Sequence, residues 1–256
     1  RLQQKFGPAR VFDTILDEQS ILGMAIGLGH NGFLPVPEIQ FLAYVHNAED
    51  QLRGEAASLS FFSKGQYANP MVVRVAGLAY QKGFGGHFHN DNSVAVFRDI
   101  PGIILACPSN GGEAVIMMRE AFRLAREEGR VVVFLEPIAL YGTKDLHEDG
   151  DGAMTAVFND IKEAAPFGSV NTIGDGGDLA IVTYGNGAYR SRRAVRTLAQ
   201  QGVNARIIDL RWLTPLPVDA MVHAIGDCRN VLIVDECRKT GSPSEEIIAA
   251  FNDRRV

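Results

Sequence analysis

The sequence predicts an α/β protein built as two α/β domains with mainly parallel sheets. Short β-branched apolar runs alternate with longer segments of helical period. Near-continuous apolar strands between helices belong to parallel sheets covered on both faces. The periodicity fades between Gly142 and Asp178, where polar stretches such as DLHEDGDGAM and VNTIGDGGD occur, and a second run of the same alternation follows. We place the domains at residues 1–150 and 165–256, with no sequence repeat between them.

The elements follow in order. Asp17 suits an N-cap, and Ile21, Met24, Ala25 and Leu28 recur at helical spacing, which predicts a helix up to the turn at Asn31-Gly32. Leu34–Gln40 reads as a strand, Phe41–Phe62 as a helix and Met71–Val75 as a strand. Strands at Ile103–Ala106 and Val131–Leu135 bracket a helix at Gly111–Glu128. Beyond the polar interval come a strand in DLAIVTYG, a helix at Ala188–Gln201, a strand in ARIIDLR, a helix at Pro217–Gly226, a strand in NVLIVDE and a last helix at Pro243–Asn252. Ala76–Asn92 stands apart: it is rich in Gly, Tyr, Phe and His and too long for a plain connection.

Composition excludes several classes. With 25 basic and 30 acidic residues the net charge is −5, and the short run Arg190–Arg193 fits a solvated helix face, so no nucleic-acid binding is expected. No apolar run approaches the length that spans a membrane. The three cysteines are widely spaced without a CxxC, which indicates neither a disulfide framework nor a zinc site and fits a reducing, cytoplasmic setting. The chain begins at Arg1 rather than at a methionine and shows no signal peptide, so we expect its natural N-terminus to lie upstream.

Several motifs carry possible chemistry. Gly27–Gly32 spells GxGxxG, but it ends a helix instead of opening one, and so reads as a C-cap. The triplets Gly150-Asp151-Gly152 and Gly174-Asp175-Gly176 follow no apolar strand and read as turns. Glu18 falls in the first turn of a helix, where the dipole favours an anion; the residues alone leave it either a capping acid or a fixed proton partner. His89 follows the glycine-rich run Gly83–Gly86. Glycine lets backbone approach a ligand closely, and histidine titrates near neutrality. A backbone-bonded loop histidine and a catalytic one are both open on that ground, and His87 is the weaker candidate of the pair.

Taken together, the runs Gly32–Tyr44 (GFLPVPEIQFLAY), AEDQLRGEAASLSFFSKGQ, IPGIILACPSN, VVVFLEP, VTYG, IDLRWLTPL and LIVDE resemble, in order and over nearly the whole chain, the β subunit of the thiamine-diphosphate-dependent 2-oxoacid dehydrogenases (E1). That family is a branch of the transketolase superfamily. The resemblance implies a pyrimidine-binding domain followed by a transketolase C-terminal-like domain. It implies that Glu18 bonds N1′ of the cofactor's aminopyrimidine and promotes its imino tautomer, that Tyr44 packs on the pyrimidine, and that His89 handles a proton or orients the acyl group during transfer to a lipoyl arm. The family's HSQS reads His89-Asn90-Asp91-Asn92 here. No metal ligand is expected in this chain. Thiamine diphosphate would be shared with an α-like chain or domain that carries the GDG motif and holds Mg²⁺, inside an α2β2-like assembly with homodimer contacts that meets a lipoyl acyltransferase (E2). A potassium site found in some relatives is not expected, because Glu128 and Arg130 replace the Asp and Asn it needs. The rival readings are a superfamily enzyme acting on sugar phosphates and a non-catalytic scaffold or regulatory paralogue.

Overall fold

A computed structural model describes residues 1–79 and 86–256, together with the side chains of those residues apart from His87 and Phe88. The first part carries α1 (Leu2–Phe6), α2 (Glu18–His30), β1 (Glu38–Ile39), α3 (Leu59–Phe62), β2 (Met71–Gly77), α4 (Gly86–His89), α5 (Ala95–Arg98), β3 (Ile103–Ala106), α6 (Gly111–Glu128) and β4 (Val131–Pro137). Residues 138–169 hold two 3-10 turns, Ile138–Leu140 and Phe158–Asp160. Then come β5 (Val170–Ile173), β6 (Leu179–Thr183), α7 (Gly185–Gln200), β7 (Ala205–Leu210), β8 (Trp212–Thr214), α8 (Val218–Ile225), β9 (Val231–Ile233) and α9 (Pro243–Arg254).

The strands form two sheets, β1-β2-β4-β3-β8 and β5-β7-β6-β9. Among the described residues only β8 and β5 pair antiparallel, so both sheets are mainly parallel, as the sequence predicts. Side chains alternate across a strand, and each face of the first sheet buries its own set. Val72, Ile104, Val132 and Phe134 meet Met117, Ala121, Leu124 and Ala125 of α6. Val73, Val75, Leu105 and Val133 meet α2 and the 42–57 stretch, in a core continuous with Val182, Ile208 and Leu213 of the C-terminal part. Helix α6 matches its predicted span because both ends are signalled. Asn110 Oδ1 accepts the Glu113 N–H at 3.0 Å, and Gly129 closes the helix at φ 65°.

Four elements depart from the sequence reading. The strand expected at Leu34–Gln40 shrinks to Glu38–Ile39, because Pro35 and Pro37 lack N–H donors; their carbonyls still accept from Val72 (3.2 Å) and Arg74 (2.9 Å), so the segment lies along β2 as an edge. The helix expected over Phe41–Phe62 breaks into a 3-10 stretch (Leu42–Ala48), a π turn (Gln51–Ala56, with Gly54 inside it) and α3. The polar run VNTI, expected as a turn, is β5, recruited by pairing from Val170↔Leu210 to Ile173↔Ile207. Trp212–Thr214 leaves its own domain pattern and adds to β3 of the first sheet, with Trp212 fully buried and its Nε1 donating to the Pro166 carbonyl at 3.2 Å.

The two sheets also meet through a buried acid. Ser109, just past β3, donates its hydroxyl to Asp209 Oδ2 of β7 at 2.5 Å. Burial pushes Asp209 up to about 7, with the Ser109 bond opposing. The folded state therefore holds this proton where the unfolded chain has released it. The associated stability is complete below pH ~4, the unfolded carboxylate range, and is lost as pH rises to about 7. Thermal unfolding should show it: Asp209→Asn is expected to gain on the parent in Tm as pH goes from 5 to 8, and an unchanged difference across that range would refute the assignment.

Candidate active site

Glu18 opens α2. Asp17 caps the helix, accepting the Ser20 N–H at 2.9 Å, and its bonds to Ser20 hold its carboxyl below the usual range. Glu18 is thereby placed at the positive end of the helix, only 8% exposed. Its Oε2 accepts from Asn47 Nδ2 at 3.2 Å. Asn47 lies on the 3-10 stretch three residues after Tyr44, and in a 3-10 helix residues i and i+3 eclipse. The 3-10 geometry thus sets Tyr44 and Asn47 on one side of the stretch, with Asn47 bonded to Glu18.

Tyr44 in turn touches His89. Its hydroxyl lies 3.2 Å from His89 Nε2, while the Phe41 ring stacks on the imidazole at 4.2 Å between centroids and 23° between planes. The predicted residues Tyr44 and His89 are in direct contact, and Glu18 is held by Asn47 of the same 3-10 stretch that carries Tyr44. The arrangement offers a shielded carboxylate, an imidazole and two aromatic walls, enough for proton transfer beside a flat heteroaromatic ring. The glycine-rich run up to Gly85 and the side chain of His87 lie outside the described residues. His89 is followed by residues that meet the C-terminal part: Asn92 Nδ2 donates to the Glu236 carbonyl at 3.3 Å, and Asp91 lies 3.8 Å from Arg238. A separate cavity of about 770 Å³, lined by Phe122, Tyr141 and Phe158 among others, contains none of Glu18, Tyr44 and His89.

Comparison with known proteins bears on this geometry. Residues 1–143 match the family model of the transketolase pyrimidine binding domain, and residues 168–256 match that of the transketolase C-terminal domain. The pyruvate dehydrogenase E1 component subunit beta of Bacillus subtilis is 31% identical over all of this chain and 74% of its own length. The 2-oxoisovalerate dehydrogenase subunit beta of Pseudomonas aeruginosa is 33% identical over 98% of this chain and 71% of its own. This chain belongs to the transketolase family, in the branch of the 2-oxoacid dehydrogenase E1 β subunits. A solved structure described as a split gene transketolase, inactive beta4 tetramer, shares the fold, with a TM-score of 0.76 at 18% identity over 99% of this chain and 74% of that one.

For a transketolase-family chain, the GDG triplets need a structural reading. Asp151 accepts the N–H groups of Leu146, His147, Glu148 and Ala153, which hold its carboxyl far below the usual range, between Gly150 at φ 88° and Gly152 at φ 59°. Its oxygens serve a turn. Gly174, at φ 80°, likewise opens a turn before β6. Among the described residues no cluster of three or more His, Cys, Asp and Glu could hold a metal. Sequence reasoning missed Asn47 and Phe41. Asn47 is recoverable only if the segment is known to be 3-10, and no local signal marks Glu236–Arg238, about 145 residues from Asn92 and Ser93.

The Glu18–Asn47 pair can be measured. A double-mutant cycle on Glu18→Ala and Asn47→Ala in urea unfolding should give a coupling of roughly 1.5 kcal/mol, the low end of the range for a hydrogen bond to a charged group. Additive losses would show that Asn47 does not hold Glu18.

Proposed function

We propose that this chain is the β-like half of an E1 component, acting in thiamine-diphosphate-dependent oxidative decarboxylation of a 2-oxoacid of the pyruvate or branched-chain type, with the acyl group passed to a lipoyl arm. The observation that carries the reading is the shielded Glu18 carboxylate at the start of α2, bonded by Asn47 of the 3-10 stretch whose Tyr44 contacts His89. These residues fit an aminopyrimidine: a carboxylate can accept from a protonated ring nitrogen, and aromatic side chains can cover the ring face.

When bound, thiamine diphosphate supplies the electron sink that lets the carboxyl group leave as CO₂. The chain's own residues have distinct tasks. Glu18 holds a proton shared with N1′ of the pyrimidine. Tyr44 packs beside that ring and orients the His89 imidazole through Nε2. His89 moves a proton or fixes the acyl group as it passes to the lipoyl arm. We assign residues 1–150 to pyrimidine binding and 165–256 to a C-terminal domain. The diphosphate and Mg²⁺ belong to an α-like chain or domain bearing a GDG motif, in an α2β2-like cytoplasmic assembly that serves a lipoyl acyltransferase. Asp151, occupied by its own turn, supports placing the metal on that partner.

The test is decarboxylation by the chain assembled with its GDG-bearing partner, thiamine diphosphate and Mg²⁺, read by dye reduction over a panel of 2-oxoacids. One acid should turn over, and Glu18→Ala should lower the rate by at least about 10²-fold. Turnover of sugar phosphates instead, or no binding of thiamine diphosphate, would overturn the reading.

A further inference from the structure

Two points of the first part, Leu78 ahead of His89 and Asn92 after it, are tied to one dipeptide of the C-terminal part. Asn186, in the first turn of α7, donates to the Leu78 carbonyl at 2.8 Å and to Glu236 Oε2 at 3.0 Å. Leu78 is fully buried and has φ 51°, a conformation that a leucine keeps only where its surroundings impose it. Asn92 donates its amide to the Glu236 carbonyl at 3.3 Å and accepts the Cys237 thiol on its own carbonyl at 2.8 Å. Cys237 is itself fixed, since its N–H and the Tyr184 hydroxyl converge on Asp235 Oδ1 at 2.9 and 2.6 Å. Burial pushes the thiol up to about 12, so it remains a protonated donor at neutral pH. Arg238 adds a bond to Ser93 Oγ.

Asp91 and Asn92 are two of the positions where HNDN differs from HSQS, and both face this dipeptide or Arg238. We propose that Glu236 and Cys237 are positioning residues for His89: they hold Asn92, three residues past it, directly, and Leu78 through Asn186, and this clamp sets where the imidazole meets Tyr44. Its functional consequence rests on the E1 reading above; the clamp itself does not. Each half of the clamp has a conservative replacement. Burial pushes Glu236 up to about 7, and a glutamine retains the oxygen that accepts from Asn186. A serine retains a hydrogen for the Asn92 carbonyl.

The experiment uses the full chain assembled with its GDG-bearing partner and takes two readouts on Glu236→Ala, Glu236→Gln, Cys237→Ala and Cys237→Ser. Backbone amide exchange over residues 86–94 should speed up about tenfold in both alanine variants, with α6 unchanged, and stay near the parent rate in the glutamine and serine variants. Turnover of the 2-oxoacid should fall about 10- to 100-fold in kcat in the alanine variants with little change in KM, as expected when a proton-transfer group is misplaced, and should be restored by glutamine and serine. Unchanged exchange over 86–94, or faster exchange that spreads through α6, overturns the clamp. A local exchange effect with kcat unchanged overturns the positioning role. If the parent assembly turns over no 2-oxoacid, the E1 reading fails, while the exchange data still decide the clamp.

Discussion

Strands β2 and β4 run in parallel register from Met71↔Val131 to Gly77↔Pro137, and burying both faces of that pair is the constraint on which the rest of the structure depends. A parallel pair cannot leave one face to water as readily as an antiparallel one. Here α6 covers one face and α2 with the 42–57 stretch covers the other. Covering the second face brings the N-terminus of α2 and the 3-10 stretch together, so Glu18 and Asn47 meet as a by-product of core packing.

The same core runs on into the C-terminal sheet. Leu213 and Ile208 join the cluster that contains Val73 and Leu105, and β8 completes the first sheet against β3. The C-terminal part therefore packs against the first sheet and bonds residues 91–93, just past His89. It also meets the first part just past the carboxyl end of β2, where Leu78, Asn186 and Glu236 converge. Ligand sites in open α/β sheets favour such positions. Polar groups, the buried Asp209 and the partly buried Glu236 and Cys237, gather along this joint, where their hydrogen bonds select one relative placement of two largely apolar surfaces.

Legibility followed locality. Asn110 and Gly129 bracket α6 with a cap and a left-handed stop, so its span could be read directly. Asp17 did the same for the start of α2, and with it came the place of Glu18. The 42–62 stretch has enough apolar residues for one helix, yet it forms a 3-10 stretch, a π turn that contains Gly54, and α3. β5 has no alternating apolar pattern, and only the free edge of β7 makes it a strand.

The sequence by itself determined the α/β class, the mainly parallel sheets, the family, and the residue types at positions 18, 44 and 89. Those properties rest on periodicity, caps and ordered motifs that act within a few residues. Only the tertiary structure decided that Tyr44 meets His89, that Asn47 holds Glu18, that Trp212–Thr214 belongs to the first sheet, and that Glu236 and Cys237 grip the His89 segment. Each of these is a contact between residues tens to well over a hundred positions apart. Such contacts depend on how two sheets share one core, and no local pattern encodes that.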